Sequence, residues 1–446
     1  MNEQIQRKDI INALLLSFGV SFYDLHEVKG ATVTLYKFRP KIGTRIAKIR
    51  SLKDELAAAL GVQSVRIIAP MDDGSVGIEV PNEKREILAM SEILNSWEFQ
   101  NTPAILPCAI GRTVTNEVFI ADLAEMPHLL VAGATGQGKS VGLNMIIMSL
   151  LHKKSPEDMK IMLIDPKQVE FGIYSKIEDS YLACPVITEP EEAIRKLASV
   201  CTLMDERYSL ISSVGVRNIQ EYNTLPTVEH LPYLVVVIDE YGDLIMTAGR
   251  ELERTICRIA QKARAVGIHL ILSTQRPDTK VVTGNIKANF PTRIAFRTTT
   301  GIDSRVILDQ LGAEKLSGRG DMLYFSGSDT VRVQCAYASV ADVITACESI
   351  KAEYTDIQNS FRLPPSAEEI ALQQTADLLK KQDEEEKMWE RRKMEAEERM
   401  QEWRKEREKN KGRIEARREQ LYRHFYGSNT SYMPLCIPGD SRLKKK

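Results

Sequence analysis

The amino-acid sequence predicts an α/β fold with a mostly parallel central sheet, preceded by a small α/β segment and followed by a long charged helix. Between residues 101 and 355, uncharged runs rich in β-branched residues alternate with helix-like segments, as in a parallel sheet covered by helices. A glycine-rich turn at 133–140 joins one such run to a helix. After Pro364 and Pro365 the composition changes abruptly to Glu, Lys and Arg.

Size and composition are compatible with this organisation. The chain has 446 residues, of which 43% are hydrophobic and 27% charged, enough for one large or two medium cores and a solvated extension. Because the formal net charge is −1, any binding of nucleic acid must come from local clusters of basic residues. The seven cysteines lack CxxC spacing, so neither a zinc site nor a disulfide framework is indicated.

The chain carries no signal for export or membrane insertion. Its first residues lack a long apolar core, and no run of about 18 apolar residues occurs anywhere. We therefore expect a soluble, cytoplasmic protein with reduced cysteines and no direct membrane insertion, for which any link to a membrane requires a partner.

The first region, residues 1–100, is expected to be a compact α/β segment. Its hydrophobic periodicity predicts helices near 4–18 and 51–60 and a strand over 31–38. Two further strands, 64–68 and 75–80, flank a turn at 72–74 and are expected to form a hairpin.

A complete G-x-x-x-x-G-K-S pattern follows the apolar run that begins at His128. Its glycines allow backbone N–H groups to point at phosphate oxygens, and the following helix adds its positive end. Lys139 is expected to reach the β- and γ-phosphates of ATP, and the Ser140 hydroxyl to hold Mg²⁺. The predicted nucleotide contacts are Gly133, Ala134, Thr135, Gly136, Gln137, Gly138, Lys139, Ser140 and Val141.

Two acidic residues, Asp239 and Glu240, end the uncharged run over 233–238. In a central parallel strand they lie at the carboxyl edge of the sheet, where ligands of open α/β folds bind. Asp239 is then expected to hold Mg²⁺ through water, and Glu240 to polarise the water that attacks the γ-phosphate. An apolar strand capped by two surface acids is the alternative.

Two other apolar runs end in polar residues. The run over 267–272 leads to Ser273-Thr-Gln-Arg-Pro, in which Gln275 is the candidate sensor of the γ-phosphate; alternatively, Thr274 or Gln275 simply ends the strand. The run over 160–164 leads to Asp165-Pro-Lys167, whose charges are equally explained by solvation of a loop.

At these positions the chain resembles the motor module of the FtsK/SpoIIIE DNA translocases. The similar segments extend over about residues 20–345. They are SLKDELAAALG (51–61), VGIEVPNEKRE (76–86), LIDPK (163–167), GVRNIQEYN (215–223), IDEYGDL (238–244), STQRP (273–277), IKANFPTRIAF (286–296), IDSRVILDQLGAEKL (302–316) and GRGDMLY (318–324).

The resemblance implies a RecA-like P-loop ATPase that assembles as a homohexameric ring around double-stranded DNA and pulls it through the channel. It also implies an α subdomain over 1–100, the ATPase or β subdomain over 101–355 and an extension over 356–446. Because each ATP then lies between subunits, an arginine of the neighbour can neutralise charge on the γ-phosphate. Position in the PTRIAF segment makes Arg293 the candidate for this arginine finger, and exposure on an edge strand is its alternative.

The family also suggests two channel loops, around residues 300–305 and 326–332. Arg305 and Arg332 are therefore expected to contact DNA phosphates, giving binding that does not depend on base sequence and that weakens with salt. The second loop is predicted independently as a hairpin between strands over 321–325 and 331–337. Either arginine could instead be an ordinary surface charge.

The sequence departs from the family at both ends. Neither an amino-terminal membrane domain nor a carboxy-terminal winged helix is apparent, so we expect a free-standing motor or one used with a separate recruiting protein. From Ser366 to about Phe425, opposite charges recur at helical spacing with few apolar residues. This pattern predicts a solvated single helix, with a weak coiled coil or partner-binding helix as the alternative, and a basic tail after it.

Three functions fit these features. The first is ATP-driven translocation along double-stranded DNA. The second is a ring ATPase that drives conjugation or protein secretion, and the third is an ATP-gated DNA-binding scaffold that does not pull. The carboxylate of Glu240 argues against the scaffold, because it predicts hydrolysis.

Overall fold

A computed structural model describes residues 6–426, apart from 72, 85, 328 and 356–358. The chain divides into two units, one reaching to Glu369 and one from Ile370 onward, which are described separately. Within the described ranges, no helix is both long and apolar enough to cross a membrane.

The amino-terminal part of the first unit is a four-stranded antiparallel sheet packed against helices. The strand order is β1-β2-β4-β3. Ile11 and Leu15 of the first helix and Leu56 of the third are fully buried in its core. The strands are β1 (Phe22–Lys29), β2 (Val33–Pro40), β3 (Arg66–Ile68) and β4 (Val76–Pro81), and the helices are α1 (Arg7–Ser17), α2 (Ile46–Ser51) and α3 (Lys53–Ala59).

The sequence predicted most of this part. The hairpin of β3 and β4 forms as expected, although its turn includes residue 72, which lies outside the described residues. The helix expected over 51–60 is present as α3, and Leu52 separates it from α2, a preceding helix that was not predicted. Strand β1 was missed because its exposed face carries Tyr23, Asp24 and Glu27, which give no clean alternation of apolar and polar residues.

The rest of the first unit is built on a nine-stranded sheet of order β6-β5-β13-β12-β11-β7-β10-β9-β8. Strands β11, β7, β10, β9 and β8 are mutually parallel, and the remaining strands extend this sheet in antiparallel fashion. The strands are β5 (Pro107–Thr113), β6 (Val118–Asp122), β7 (His128–Ala132), β8 (Met159–Ile164), β9 (Tyr233–Ile238), β10 (Ile268–Thr274), β11 (Thr292–Phe296), β12 (Asp321–Ser326) and β13 (Thr330–Cys335).

Helices connect and cover these strands. Helix α6 follows the glycine-rich turn and packs on β5, and α9 packs on β10. The helices are α4 (Met90–Leu94), α5 (Trp97–Gln100), α6 (Lys139–Lys153), α7 (Pro190–Ser213), α8 (Ile219–Asn223), α9 (Tyr241–Lys262), α10 (Gly284–Asn289), α11 (Gly301–Leu308) and α12 (Val340–Glu353). The predicted α/β fold is thus confirmed.

The central parallel strands are buried along their whole length, which explains their uncharged sequences. Every residue of β9 and β10 is buried. Two histidines lie among them: the N–H of Leu270 donates to His128 Nδ1 at 3.0 Å, and His269 Nδ1 lies 2.9 Å from the carbonyl oxygen of Pro127. Burial lowers the pKa of His128, with a further contribution from His269, to about 3, and burial lowers the pKa of His269 to about 4.

The chain ends, within the described residues, in the long helix α13 (Ala367–Tyr426). From Ile370 on, every side chain whose exposure is described is exposed, as expected for a solvated helix. Ion pairs at i,i+4 spacing join Asp383 to Lys387 and Glu395 to Arg399. The predicted basic tail lies outside the described residues.

Candidate nucleotide-binding site

A cavity of about 660 Å³ opens at the carboxyl edge of the parallel strands. One wall is the glycine-rich turn between β7 and α6, with Lys139 and Ser140. Gln275, after β10, and Glu170, after β8, also line the cavity. Leu88 and Tyr337 form part of the remaining wall, so the segment after β4 contributes to it. This is the edge at which the sequence predicted a ligand.

The glycine-rich turn has the backbone that phosphate binding requires. Gly136 and Gly138 have φ values of +74° and +112°, a left-handed region that favours glycine. A Cβ on Gly138 would lie 2.7 Å from the backbone nitrogen of Gly320, so a side chain there cannot be accommodated. Helix α6 begins at Lys139, so its free N–H groups face the cavity.

The predicted lysine and aspartate are in direct contact behind this turn. The Lys139 ammonium donates to the Asp239 carboxylate and, at 2.7 Å, to the Ser273 hydroxyl. Ser273 in turn donates to Asp239 at 2.5 Å. The side chains of Lys139 and Asp239 are each 3% exposed, and a buried ion pair needs such additional hydrogen bonds to be stable.

Glu240 is held at the start of α9 by three donors. Its Oε1 accepts from the Thr274 hydroxyl and from the N–H of Gln275, both at 3.1 Å. Its Oε2 lies 3.2 Å from the Lys167 ammonium. Glu240 has a positive φ of +48°, an uncommon backbone conformation for a residue other than glycine that is often found at functional sites.

Gln275 lies next to the glycine-rich turn, as predicted. Its Oε1 accepts a hydrogen bond from the Thr135 hydroxyl at 2.6 Å. The side chain therefore joins the end of β10 to the turn that would surround the phosphates. This position suits a residue that senses the γ-phosphate.

The oxygen ligands that Mg²⁺ prefers are present at the same edge. Ser140 lies in the first turn of α6, and its hydroxyl donates to Glu170. Asp239 contacts Lys139, which is the residue that precedes Ser140 in the chain. Hydroxyl and carboxylate oxygens, supplemented by phosphate and water, are the usual Mg²⁺ environment in nucleotide sites, so these residues fit the cofactor.

The expected role of Arg293 as an arginine finger is not supported by its surroundings. Its side chain is 8% exposed and donates to the Asp309 carboxylate at 2.6 Å. It also donates to the carbonyl oxygens of Phe290 (3.1 Å), Ile307 (3.2 Å) and Lys287 (3.1 Å). A guanidinium that satisfies the ends of two helices of its own chain cannot reach a neighbouring subunit without losing all four bonds.

The expected DNA contact of Arg332 is corrected in the same way. Its side chain is 5% exposed and is bonded to Glu79 of β4 and, at 2.9 and 2.6 Å, to Asp321 of β12. Burial opposes the charge, but the Asp321 and Glu79 carboxylates outweigh this and raise the pKa of Arg332. Arg332 therefore joins the amino-terminal sheet to the large sheet, whereas Arg305 is exposed on α11.

The structure also shows site residues that the sequence analysis missed or left undecided. Ser273 was missed because a serine at the end of an apolar strand is a common surface feature. Lys167, for which loop solvation was an alternative, is ion-paired with Glu240 and, at 3.2 Å, with Asp243. Glu170 was missed, although its position five residues after the charged end of β8 could have indicated it.

Fold and site together define a P-loop ATPase. Residues 1–82 match the FtsK alpha domain and residues 89–279 match the FtsK/SpoIIIE family. The chain therefore belongs to the FtsK/SpoIIIE family, in agreement with the resemblance found in the sequence.

Curated relatives support this assignment. The chain is 45% identical to a DNA translocase FtsK of Helicobacter pylori over 358 residues, which is 79% of this chain and 42% of that protein. It is 42% identical to a DNA translocase FtsK of Caldanaerobacter subterraneus over 378 residues, 84% of this chain and 53% of that protein. The chain thus spans about half the length of the curated relatives it matches.

Solved structures support the fold. The pCW3 conjugation coupling protein TcpA, in monomer form with ATPγS, matches with a TM-score of 0.56 and 26% identity over 78% of this chain and 99% of that one. The cytoplasmic domain of the type VII secretion ATPase EccC of Thermomonospora curvata matches with a TM-score of 0.52 and 23% identity over 63% of this chain and 35% of that one. The second likeness concerns the fold alone.

Proposed function

We propose that this chain is an ATP-driven motor that moves along double-stranded DNA. The observation that carries the proposal is the meeting of Lys139, Asp239 and Glu240 at one edge of the sheet, beside a turn built for phosphate. Such a set serves hydrolysis as well as binding. The relatives named DNA translocase FtsK support DNA as the substrate, and the family resemblance implies that this DNA is double-stranded.

In this proposal each site residue has a defined part. The N–H groups over 133–141 and Lys139 bind the triphosphate, while the Ser140 hydroxyl holds Mg²⁺ and Asp239 holds it through water. When bound, Mg²⁺ neutralises charge on the β- and γ-phosphates. Glu240 accepts a proton from the attacking water, and Gln275 reports the γ-phosphate to the turn through Thr135.

The proposed assembly is a homohexameric ring, as the family resemblance implies. Arg305, exposed on α11, is the proposed contact to DNA phosphates. Because the net charge is only −1, such contacts must be concentrated at the channel rather than spread over the surface. The proposed location is the cytoplasm, and the long helix α13 is the proposed site for a recruiting protein.

A second candidate is a ring ATPase of conjugation. The likeness to TcpA, described as a conjugation coupling protein, covers nearly the whole of that protein and favours this alternative. Both candidates hydrolyse ATP, so the substrate that stimulates hydrolysis distinguishes them. The third candidate, a scaffold that binds DNA without pulling, requires only nucleotide binding and is disfavoured by the position of Glu240.

The test is steady-state hydrolysis with and without linear duplex DNA. We expect stimulation by duplex that weakens with salt, no hydrolysis by Lys139→Ala, and normal hydrolysis by the control Lys153→Ala at the opposite end of α6. An ATP hydrolysis rate that duplex DNA does not change at any salt concentration would reject DNA as the substrate. Mass measurement with an ATP analogue and duplex tests the proposed hexamer.

A further inference from the structure

The loop after β8, residues 165–171, has a fixed shape. The buried carboxylate of Asp165 accepts hydrogen bonds from the N–H groups of Lys167 (3.2 Å), Glu170 (2.9 Å) and Phe171 (3.0 Å). Gln168 takes a left-handed conformation with φ +57°. A loop closed on one carboxylate in this way presents the side chains of Lys167 and Glu170 in defined directions.

Both side chains contact residues of the ATPase site. Lys167 forms an ion pair with Glu240, as described above, and Glu170 accepts a hydrogen bond from the Ser140 hydroxyl. Glu170 lines the cavity, whereas Asp239 and Glu240, 2% and 1% exposed, lie behind it. On the Ser140 side of the cavity, Glu170 is therefore the carboxylate that meets the triphosphate and its metal ion.

The hydrogen bond from the Ser140 hydroxyl to Glu170 affects how that hydroxyl can bind a cation. A hydroxyl has one proton and two lone pairs, and a proton donated to Glu170 leaves the lone pairs free for a cation. The negative charge of Glu170 also favours a divalent cation and disfavours a bare triphosphate. Outer carboxylates that orient metal ligands are a general feature of metal sites.

We propose that Glu170 is a positioning residue of the Mg²⁺ site, which orients the Ser140 hydroxyl towards the metal and couples nucleotide binding to Mg²⁺. The inference rests on the Mg²⁺–ATP binding proposed above. It predicts that loss of the Glu170 carboxylate weakens Mg²⁺-dependent nucleotide binding without weakening binding in the absence of the metal ion. A purely structural contact would weaken binding in both conditions.

The experiment measures the affinity of the purified chain for a fluorescent ATP analogue in EDTA and across a Mg²⁺ titration. For Glu170→Gln we expect the Mg²⁺ concentration at half-maximal effect to rise by about 10- to 100-fold, while affinity in EDTA is unchanged or higher. Glu170→Ala should behave likewise. The matched control is Glu86→Gln, because Glu86 also lines the cavity but pairs with Lys29.

The results distinguish the proposed Mg²⁺ dependence of nucleotide binding from the proposed role of Glu170. If the wild-type chain binds the analogue equally in EDTA and Mg²⁺, the proposed cofactor fails and this inference fails with it. If wild-type binding depends on Mg²⁺ but Glu170→Gln keeps the same Mg²⁺ dependence, or loses affinity equally in EDTA, only the role of Glu170 is overturned. Thermal unfolding without nucleotide verifies that each variant is folded.

Discussion

Substitution of Arg332 by alanine is expected to destabilise the first unit by about 3 kcal/mol. Removal of one partner from a buried ion pair costs about 3–5 kcal/mol, because a charge remains buried without compensation. Here the charges left behind are Glu79 and Asp321, each 1% exposed. Glu79 keeps the Arg66 guanidinium at 3.4 Å, and Asp321 keeps the N–H of Ser317 at 2.6 Å. Because both carboxylates keep a partner, we expect a free-energy cost at the low end of this range.

Thermal unfolding provides the assay. At about 2 °C per kcal/mol, the value for larger domains, the midpoint of Arg332→Ala should fall by about 6 °C. The exposed Arg305→Ala should change it by less than about 1 °C, since surface substitutions typically stay within about 0.5 kcal/mol. Arg332→Ala combined with Glu79→Gln should recover part of the loss, because one buried charge is removed. Equal midpoints for Arg332→Ala and Arg305→Ala would refute this account of Arg332.

Glu240→Gln should lower kcat for ATP by at least about 100-fold with nucleotide affinity retained; single-turnover hydrolysis at the wild-type rate would contradict its role as base. Arg305→Ala should weaken duplex binding and flatten its salt dependence in fluorescence anisotropy, and an unchanged salt slope would remove Arg305 from the DNA contact. Stability should fall as the pH drops from about 6.5 towards 4, since unfolding lets His128 and His269 take up protons that burial excludes. Replacement of His269 by leucine should reduce that slope in chemical denaturation followed at several pH values; an unchanged slope would assign the acid sensitivity to other groups.

Local sequence patterns predicted the features that depend on neighbouring residues. The glycine-rich turn, the buried strands β9 and β10, and the hairpin of β12 and β13 each follow from residue types within a short window. Asp239 was also expected at the nucleotide site with Lys139, because ligands of open α/β sheets bind at the carboxyl edge of the strands.

The missed contacts depend on residues far apart in the chain. Arg332 and Glu79 are separated by 253 positions, so no periodicity around Arg332 indicates that it is buried. Arg293 lies in a short strand whose burial comes from β7 on one side and β12 on the other, and its partner Asp309 follows a different helix. Glu170 was missed because its partner at the site, Ser140, lies 30 positions earlier in the chain.

Displacement of a third strand from a triplex on linear duplex DNA tests the central claim most directly, because removal of that strand requires movement along the duplex. The account predicts displacement by the wild-type chain with ATP and Mg²⁺, and none with Lys139→Ala, Glu240→Gln or a non-hydrolysable ATP analogue. Binding of duplex with ATP hydrolysis but without displacement would contradict translocation.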